Sequence, residues 1–230
     1  MYVAYREMPP PHDLAHLVRC LWIRTGTGDD TLVLPDGCLD VIVRDGQAIV
    51  AGPDTGPVPG RIAPGEVVTG LRLRPGAGGA VLRIDAGELR DVRVPLEDLW
   101  GPAGRELGER AAEDPAALAS ALRPRLAASA VDVRVLEAAR RLARAPGTPV
   151  PALAADVGLG ERHLRRRFAA AVGYGPKTFA RVARFRAALG LVRSGESLAA
   201  AALAAGYADQ AHMTRELVAL SGRTPGSLRV

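Results

Sequence analysis

The chain has 230 residues, of which 48% are hydrophobic and 24% are charged, and its formal net charge is +5. These values exclude a wholly disordered chain and leave room for two domains of ordinary size. No apolar run reaches the ~18 residues of a membrane span, the N-terminus lacks a signal-peptide pattern, and two cysteines are too few for a disulfide scaffold, so we expect a cytoplasmic protein with no membrane partner.

The first part of the sequence is predicted to form short strands separated by turns. An Asp-Gly pair at 45–46, between two apolar runs, is typical of a hairpin. The predicted strands cover residues 20–23, 32–34, 39–43, 48–50, 66–73 and 80–84. Short strands at this spacing indicate a mostly antiparallel sheet that forms a partial barrel.

The pattern changes after Asp85 to short helices that would flank this sheet. Asp114 followed by Pro115 is a strong helix start, because Asp caps the first turn and Pro fits the first helical position. Pro124 is expected to kink or end that helix. The predicted helices cover residues 86–91, 95–100, 102–112 and 115–127. The predicted domain boundary follows, giving a regulatory, sensor-like domain over 1–128 and a second domain over 129–230.

Charge is divided unevenly between the two parts. Residues 131–230 hold 15 Arg and one Lys against seven acidic residues, a net charge of +9, whereas residues 1–130 carry a net charge of −4. A basic half beside an acidic half indicates that only the former meets a polyanion. A solvated Arg-rich surface is the alternative that charge alone leaves open.

The basic part is predicted to be all-helical, with Gly and Pro marking the ends of its helices. Asp132 is the predicted cap of the first helix, and Pro225 opens the last short one. The helices between these points are predicted over residues 132–145, 153–157, 161–172, 176–193, 198–205 and 210–220. The chain as a whole is therefore predicted to be of the α+β class.

An internal repeat lies in this helical part. Ala154 and Gly158 correspond to Ala202 and Gly206 at an offset of 48. Beyond the turn the offset is 49, and the matched pairs are Leu164 with Met213, Arg166 with Arg215, Phe168 with Leu217, Gly173 with Gly222, and Pro176 with Pro225. A small residue, a glycine four residues later and a buried i, i+4 pair are what a helix-turn-helix requires, so we predict two such motifs.

The second helix of each copy leaves one polar, cationic face free to enter a major groove. The predicted DNA-binding residues are Arg162, His163, Arg165 and Arg166 in the first copy and Gln210, His212, Thr214 and Arg215 in the second. Arginine can bind guanine, and glutamine adenine, through two hydrogen bonds. Arg167 is predicted to face away from the groove. On the helix between the copies, Lys177, Arg181 and Arg184 are interpreted as phosphate contacts, with a solvated face as the alternative.

Residues 131–230 resemble the AraC/XylS family of bacterial transcription regulators. Most of the resemblance lies in residues 202–217, ALAAGYADQAHMTREL, followed by Gly222–Arg223–Thr224–Pro225; the segments RHLRRRF at 162–168 and GYGP at 173–176 agree with it. Met213 and Leu217 stand where such sequences often have Phe. The resemblance implies a DNA-binding unit of seven helices with two helix-turn-helix motifs.

The N-terminal part is similar to an uncharacterised, sensor-like domain attached to such regulators. The likeness lies in LPDGCLD at 34–40 and GLRLRPG at 70–76. It implies a regulatory position and no particular ligand. In the second segment, Arg72 and Arg74 lie on one face of a strand, where they would bind an anionic ligand if they faced the inside of the barrel. We expect them on the outside, because charges seldom face a core.

The predicted function is that of a sequence-specific, DNA-binding transcription regulator that responds to an effector through its N-terminal domain. The alternative is an enzyme or DNA-repair factor with catalysis in residues 1–130. No phosphate-binding, nucleotide-binding or nucleophile motif occurs, so we predict no enzyme activity and no cofactor.

Zinc binding by His12, His16, Cys20 and Cys38 is disfavoured, because a strand over 17–23 would break the spacing that metal ligands need. Duplex DNA and a small-molecule effector are the predicted partners, with RNA polymerase and a second copy of the chain as further candidates.

Overall fold

The computed structural model describes residues 5–111 and 114–229. Its strands are β1 (Tyr5–Met8), β2 (Val18–Thr25), β3 (Asp30–Val33), β4 (Leu39–Arg44), β5 (Gln47–Ala51), β6 (Val58–Arg61), β7 (Val67–Leu73) and β8 (Arg93–Pro95). Six of them form one antiparallel sheet in the order β1-β2-β7-β4-β5-β8, and β3 pairs with β6 in a separate two-stranded sheet. The predicted mostly antiparallel, incompletely closed sheet is confirmed.

Alternation along the strands gives the large sheet two different faces. Leu21, Leu71, Val41 and Val50 lie in register on one face and are at most 5% exposed. Four helices cover this face: α1 (Gly78–Leu82), α2 (Leu96–Trp100), α3 (Pro102–Arg110) and α4 (Pro115–Ala127). The intervening residues of the same strands point to the opposite face, toward β3 and β6.

One predicted strand is wrong: the segment predicted as a strand over 80–84 belongs mainly to the short helix α1. Helix α1 begins with Gly78 and Gly79, at a point where neighbouring residues leave no room for a side chain. A Cβ on Gly78 would lie 2.1 Å from the Leu39 side chain, and one on Gly79 would lie 2.8 Å from the backbone oxygen of Ala170. A short apolar run has no periodicity that separates a buried strand from a buried helix, which explains the error.

The C-terminal part is helical, as predicted. Its elements are α5 (Val133–Arg144), α6 (Val150–Asp156), α7 (Glu161–Val172), α8 (Pro176–Arg193), α9 (Leu198–Ala204), α10 (Gln210–Ser221) and a final 3-10 helix (Pro225–Leu228). Asp132 caps α5 as predicted, accepting hydrogen bonds from the backbone of Arg134 and Val135. In the N-terminal part, Pro124 lies inside α4, which continues to Ala127.

Helix α8 joins two separate hydrophobic cores. Phe179 and Val182 pack in the first core with residues of α5, α6 and α7. Phe185 and Val192 pack in the second core with residues of α9 and α10. The central helix therefore positions both predicted helix-turn-helix units on one axis.

The N-terminal part packs directly against this helical part. A Cβ on Gly37 would lie 2.6 Å from the ring of Phe179, and one on Gly173 would lie 2.4 Å from Pro53. Leu34 packs against the second helical core. The close approach leaves α7 and α8 in contact with the sheet domain.

The domain boundary at 128/129 stays a prediction. Among the described residues, no helix is both long and apolar enough to cross a membrane.

Candidate nucleic-acid interface

The first helix-turn-helix consists of α6 and α7. Gly158 adopts a φ of +65°, which an L side chain rarely tolerates, and so permits the tight turn. The backbone N–H of Leu159 donates to the carbonyl of Ala154 at 2.9 Å and closes the turn. Leu164 and Phe168, both fully buried, anchor α7 beneath it.

The second unit, α9 and α10, repeats this geometry. Gly206 has a φ of +76°, and the N–H of Tyr207 donates to the carbonyl of Ala202 at 2.9 Å. The additional residue in this turn has a consequence for the start of α10. The carboxylate of Asp209 accepts a hydrogen bond from the backbone N–H of His212 at 2.6 Å, whereas α7 begins at Gly160 with no side-chain cap.

The structure separates the four predicted DNA-binding residues on α7 into two groups. Arg162, His163 and Arg166 are exposed on the outward face, opposite the buried residues. Arg165 is half-buried and pairs with Glu161 at 2.5 Å. Arg167, predicted to lie off the groove face, pairs with Asp132 of the α5 cap at 3.3 Å.

On α10, Gln210 and Arg215 are exposed, while His212 and Thr214 are half-buried. The ring of His212 packs edge-on against Tyr207, with the ring centroids 5.2 Å apart. Burial raises the pKa of Tyr207 to about 12, so its hydroxyl stays protonated at neutral pH. Arg215 occupies the position on α10 that Arg166 occupies on α7.

The predicted phosphate contacts on α8 have different surroundings. Lys177 is exposed at the start of the helix. Arg181 donates to Glu216 of α10 at 2.7 Å. The nearby Arg184 lies over the ring of Tyr207, 5.4 Å from its centroid. Arg181 and Arg184 therefore connect α8 to the second helix-turn-helix.

A cavity of about 550 Å³ lies between the two sheets and extends to α8. Its floor is the free face of the large sheet, where Trp22, Ile42 and Val68 lie close together. Gly70 makes room for this floor, because a Cβ there would lie 2.2 Å from the Trp22 ring. From α8, Arg186 and Arg193 also line the cavity.

Arg72 lies on this floor, so the prediction that it faces outward is wrong. Its side chain is 16% exposed and pairs with Asp40 at 2.9 Å, Glu7 at 3.2 Å and Asp36 at 3.4 Å. These carboxylates raise the pKa of Arg72 despite the opposing effect of burial. Arg74, in contrast, is exposed and donates to the carbonyl of Ala15 at 2.7 Å. Charge pairing explains how an arginine is accommodated inside the fold.

The two cysteines are buried and reduced. Burial raises the pKa of the Cys20 thiol to about 11 and raises that of Cys38 as well, where Asp36 adds to the effect and Arg19 and Arg72 oppose it. Across residues 5–111 and 114–229, no group of three or more His, Cys, Asp or Glu side chains is placed to hold a metal ion.

Comparisons with known protein families match two parts of the chain. Residues 153–230 match a helix-turn-helix domain family, and residues 6–95 match a domain of unknown function, DUF6597. A comparison with curated proteins gives no match.

Among solved structures, the chain is similar to an apo variant of ToxT from Vibrio cholerae strain SCE256, with 10% identity, a TM-score of 0.47, and coverage of 90% of this chain and 96% of that one. Wild-type ToxT of the same strain, with a bound unsaturated fatty acid, has 10% identity and a TM-score of 0.47, with coverage of 90% of this chain and 94% of that one. ToxT from Vibrio cholerae O395 has 9% identity and a TM-score of 0.44, with coverage of 97% of this chain and 96% of that one.

Proposed function

We propose that this chain regulates transcription in response to a small molecule held by its N-terminal part, and that it binds DNA through its helix-turn-helix domain of the AraC type. In this proposal the helical part reads duplex DNA with α7 and α10, and the sheet domain changes how the two helices engage their site.

The observation that carries the DNA-binding proposal is the matched pattern of buried and exposed residues on the two helices. Both bury their i, i+4 apolar pair on α8, and both leave Arg166 and its counterpart Arg215 exposed on the outward face. Helix α8 has 18 residues, which corresponds to about 27 Å at 1.5 Å per residue. A spacer of that size suits two readers about one DNA turn, ~34 Å, apart.

We assign different roles to the basic residues around these faces. Arg162, His163, Arg166, Gln210 and Arg215 are proposed to contact base edges, and Lys177 a phosphate. Ion pairs give the remaining arginines, Arg165 and Arg181, a positioning role: Arg181 holds α10 to α8 through Glu216, and Arg165 is held by Glu161. His212 and Thr214 are half-buried at the edge of the second face, and we propose that they contact the DNA there.

The effector proposal rests on the position of the cavity. It opens between the two sheets of the N-terminal part, yet α8 supplies part of its wall. A ligand there would touch both parts of the chain and favour one arrangement of them over another, which is the requirement for coupling. RNA polymerase and a second copy of the chain stay proposed partners without an assigned surface.

The DNA-binding proposal is tested by selecting fragments from random duplex DNA with the full chain and measuring affinity for the selected site by fluorescence anisotropy. We expect a preferred site and an affinity that falls steeply with salt, because phosphate contacts release counterions. Arg166→Ala and Arg215→Ala should each relax the preference in a different half of the site, while Arg110→Ala, exposed on α3, should change neither. The absence of any preferred site at low salt would overturn the proposal.

A further inference from the structure

We propose that the cavity binds an organic anion with an apolar body, and that Arg186 and Arg193 of α8 hold its acidic group. This inference rests on the proposed effector-responsive function and deepens it by naming the chemical class of the ligand. It also identifies which residues of the DNA-binding part the ligand would touch.

The size and the floor of the cavity indicate a ligand with an apolar body. About 550 Å³ lies within the range of ~300–1,000 Å³ that is usual for small-molecule sites. Trp22, Ile42 and Val68 give the floor an apolar surface, and Ile62, which follows β6, packs against it from the opposite side. A flat or slender apolar group would therefore be enclosed between the two sheets.

The charges of the lining indicate that the ligand is an anion. Seven arginines line the cavity against four carboxylates: Arg24, Arg44, Arg61, Arg72, Arg93, Arg186 and Arg193, with Glu7, Asp36, Asp40 and Asp54. All four carboxylates already pair with Arg72 or Arg93 at 2.7–3.4 Å. Within the described part of the chain, Arg24, Arg61, Arg186 and Arg193 form no ion pair within 4.0 Å, so the cavity has surplus positive charge.

Arg186 and Arg193 are both exposed on α8 and line the cavity. Desolvation lowers the pKa of Arg186, and the positive charges of Arg19, Arg72 and Arg193 act in the same direction against the opposing charge of Asp36. A bound anion would supply the missing negative charge. Arg186 and Arg193 are seven residues apart on α8, so their side chains lie on one side of the helix, two turns from each other.

The unpaired polar groups of the lining are donors. Besides the arginines, the indole N–H of Trp22 is buried; it is oriented to Asp40 but forms no hydrogen bond of normal geometry to any described residue. Trp22 itself is 7% exposed. A ligand that fits these donors must bring acceptor oxygens, as a carboxylate, sulfonate or phosphate ester does.

The test uses the full chain carrying Trp100→Phe, which leaves Trp22 as its sole tryptophan. The probe is 8-anilinonaphthalene-1-sulfonate, an anion with an aromatic body. We expect saturable binding with energy transfer from Trp22 to the probe. Arg186→Ala with Arg193→Ala should weaken binding at least tenfold, while Arg110→Ala, on the opposite face of the sheet, should leave it unchanged. The neutral probe N-phenyl-1-naphthylamine should bind at least tenfold more weakly than the sulfonate.

Displacement of the bound probe by small competitors distinguishes the acidic groups that the ligand could carry. Benzoate and phenyl phosphate are compared with benzyl alcohol and with inorganic phosphate, and the stronger of the first two identifies the preferred head group. Displacement by benzyl alcohol as effective as by benzoate would overturn the requirement for an anion. Equal displacement by inorganic phosphate would overturn the requirement for an apolar body.

Circular dichroism and urea unfolding of each variant show whether the fold is retained. Arg186→Lys, which keeps the charge, should retain more affinity than the double alanine variant; binding that is unaffected by the double alanine variant would overturn the inference. DNA binding is measured separately, without probe. A chain that binds its DNA site but no anionic probe refutes this inference alone, and a chain that binds the probe but no DNA site refutes the proposed function alone.

Discussion

The guanidinium of Arg72 on β7 and the carboxylate of Asp40 on β4 form a two-pronged ion pair across neighbouring strands. Nε lies 3.0 Å and Nη2 2.9 Å from the two carboxylate oxygens. Asp40 is otherwise so desolvated that burial raises its pKa even against the attraction of Arg72. The pair is an internally neutral part of the cavity floor and leaves the unpaired arginines of the lining, among them Arg186 and Arg193 of α8, as the available cations.

Asp40→Asn should destabilise the fold, because it leaves Arg72 largely buried with weaker partners. Breaking a fully buried pair typically costs about 3–5 kcal/mol, and Asp36 and Glu7 remain, so we expect about 1–3 kcal/mol. Urea unfolding at constant m-value measures this loss. Asp29→Asn, the same chemical change at an exposed site, is the control, and an equal effect of both substitutions would contradict the assignment.

Gly70→Ala should displace the Trp22 ring. The new Cβ would meet three ring atoms at 2.2–2.5 Å, too close for a buried side chain to accommodate without shifting. Overpacking of this kind typically costs about 1–3 kcal/mol. Urea unfolding and the emission wavelength of Trp22, read in the Trp100→Phe background, check both effects. Gly56→Ala, with nothing within 4 Å of its Cβ, should change neither quantity.

Arg162→Ala and Arg166→Ala should each weaken binding to the selected DNA site by about 1–3 kcal/mol and relax the preference at one or two base pairs. Arg167→Ala should cost less, because its guanidinium is directed to Asp132 and not along the outward face. Anisotropy titrations against single-base variants of the site measure both quantities. Greater loss of specificity from Arg167→Ala would show that the helical phase assigned to α7 is wrong.

Neither thiol should react with iodoacetamide in the folded chain at pH 8, because both pKa values are raised by burial. The raised folded-state pKa also fixes the sign of the pH effect. Between about pH 8.5 and 11 the folded state retains protons that the unfolded state has lost, so the free energy of unfolding falls as pH rises. Mass spectrometry of labelled protein, with and without urea, is the measurement; rapid labelling of native Cys38 would reveal an accessible thiolate.

Local sequence signals were sufficient to predict the helices of the C-terminal part. Gly173 and Pro176 mark the end of α7 and the start of α8, and the predicted spans 161–172 and 176–193 match the structure. A glycine that permits a left-handed turn and a proline that cannot continue a helix act on their immediate neighbours, so their effect can be read without tertiary information.

The cavity could not be predicted in the same way. Trp22, Asp40 and Arg72 become neighbours only because β2, β7 and β4 pair side by side, and strand alternation gives no indication of which strands pair. Alternation did place Arg72 and Arg74 on one side of the strand, but the choice of side depended on the carboxylates that pair with Arg72. Strand β6, which pairs with β3 and covers the cavity, also gave no signal, because it is short and contains Pro59 and Gly60.

Helix α8 crosses from one core to the next between Val182 and Phe185, and Arg186 follows at once. Because one helix packs in both cores, a bend or twist in α8 near Arg186 would change the angle between α7 and α10. On duplex DNA, where 10–10.5 base pairs make a turn, each base pair corresponds to about 34–36° of rotation. In the proposed function, a ligand that changed α8 at Arg186 would therefore change the angular phase between α7 and α10, and with it the half-site spacing that the chain prefers.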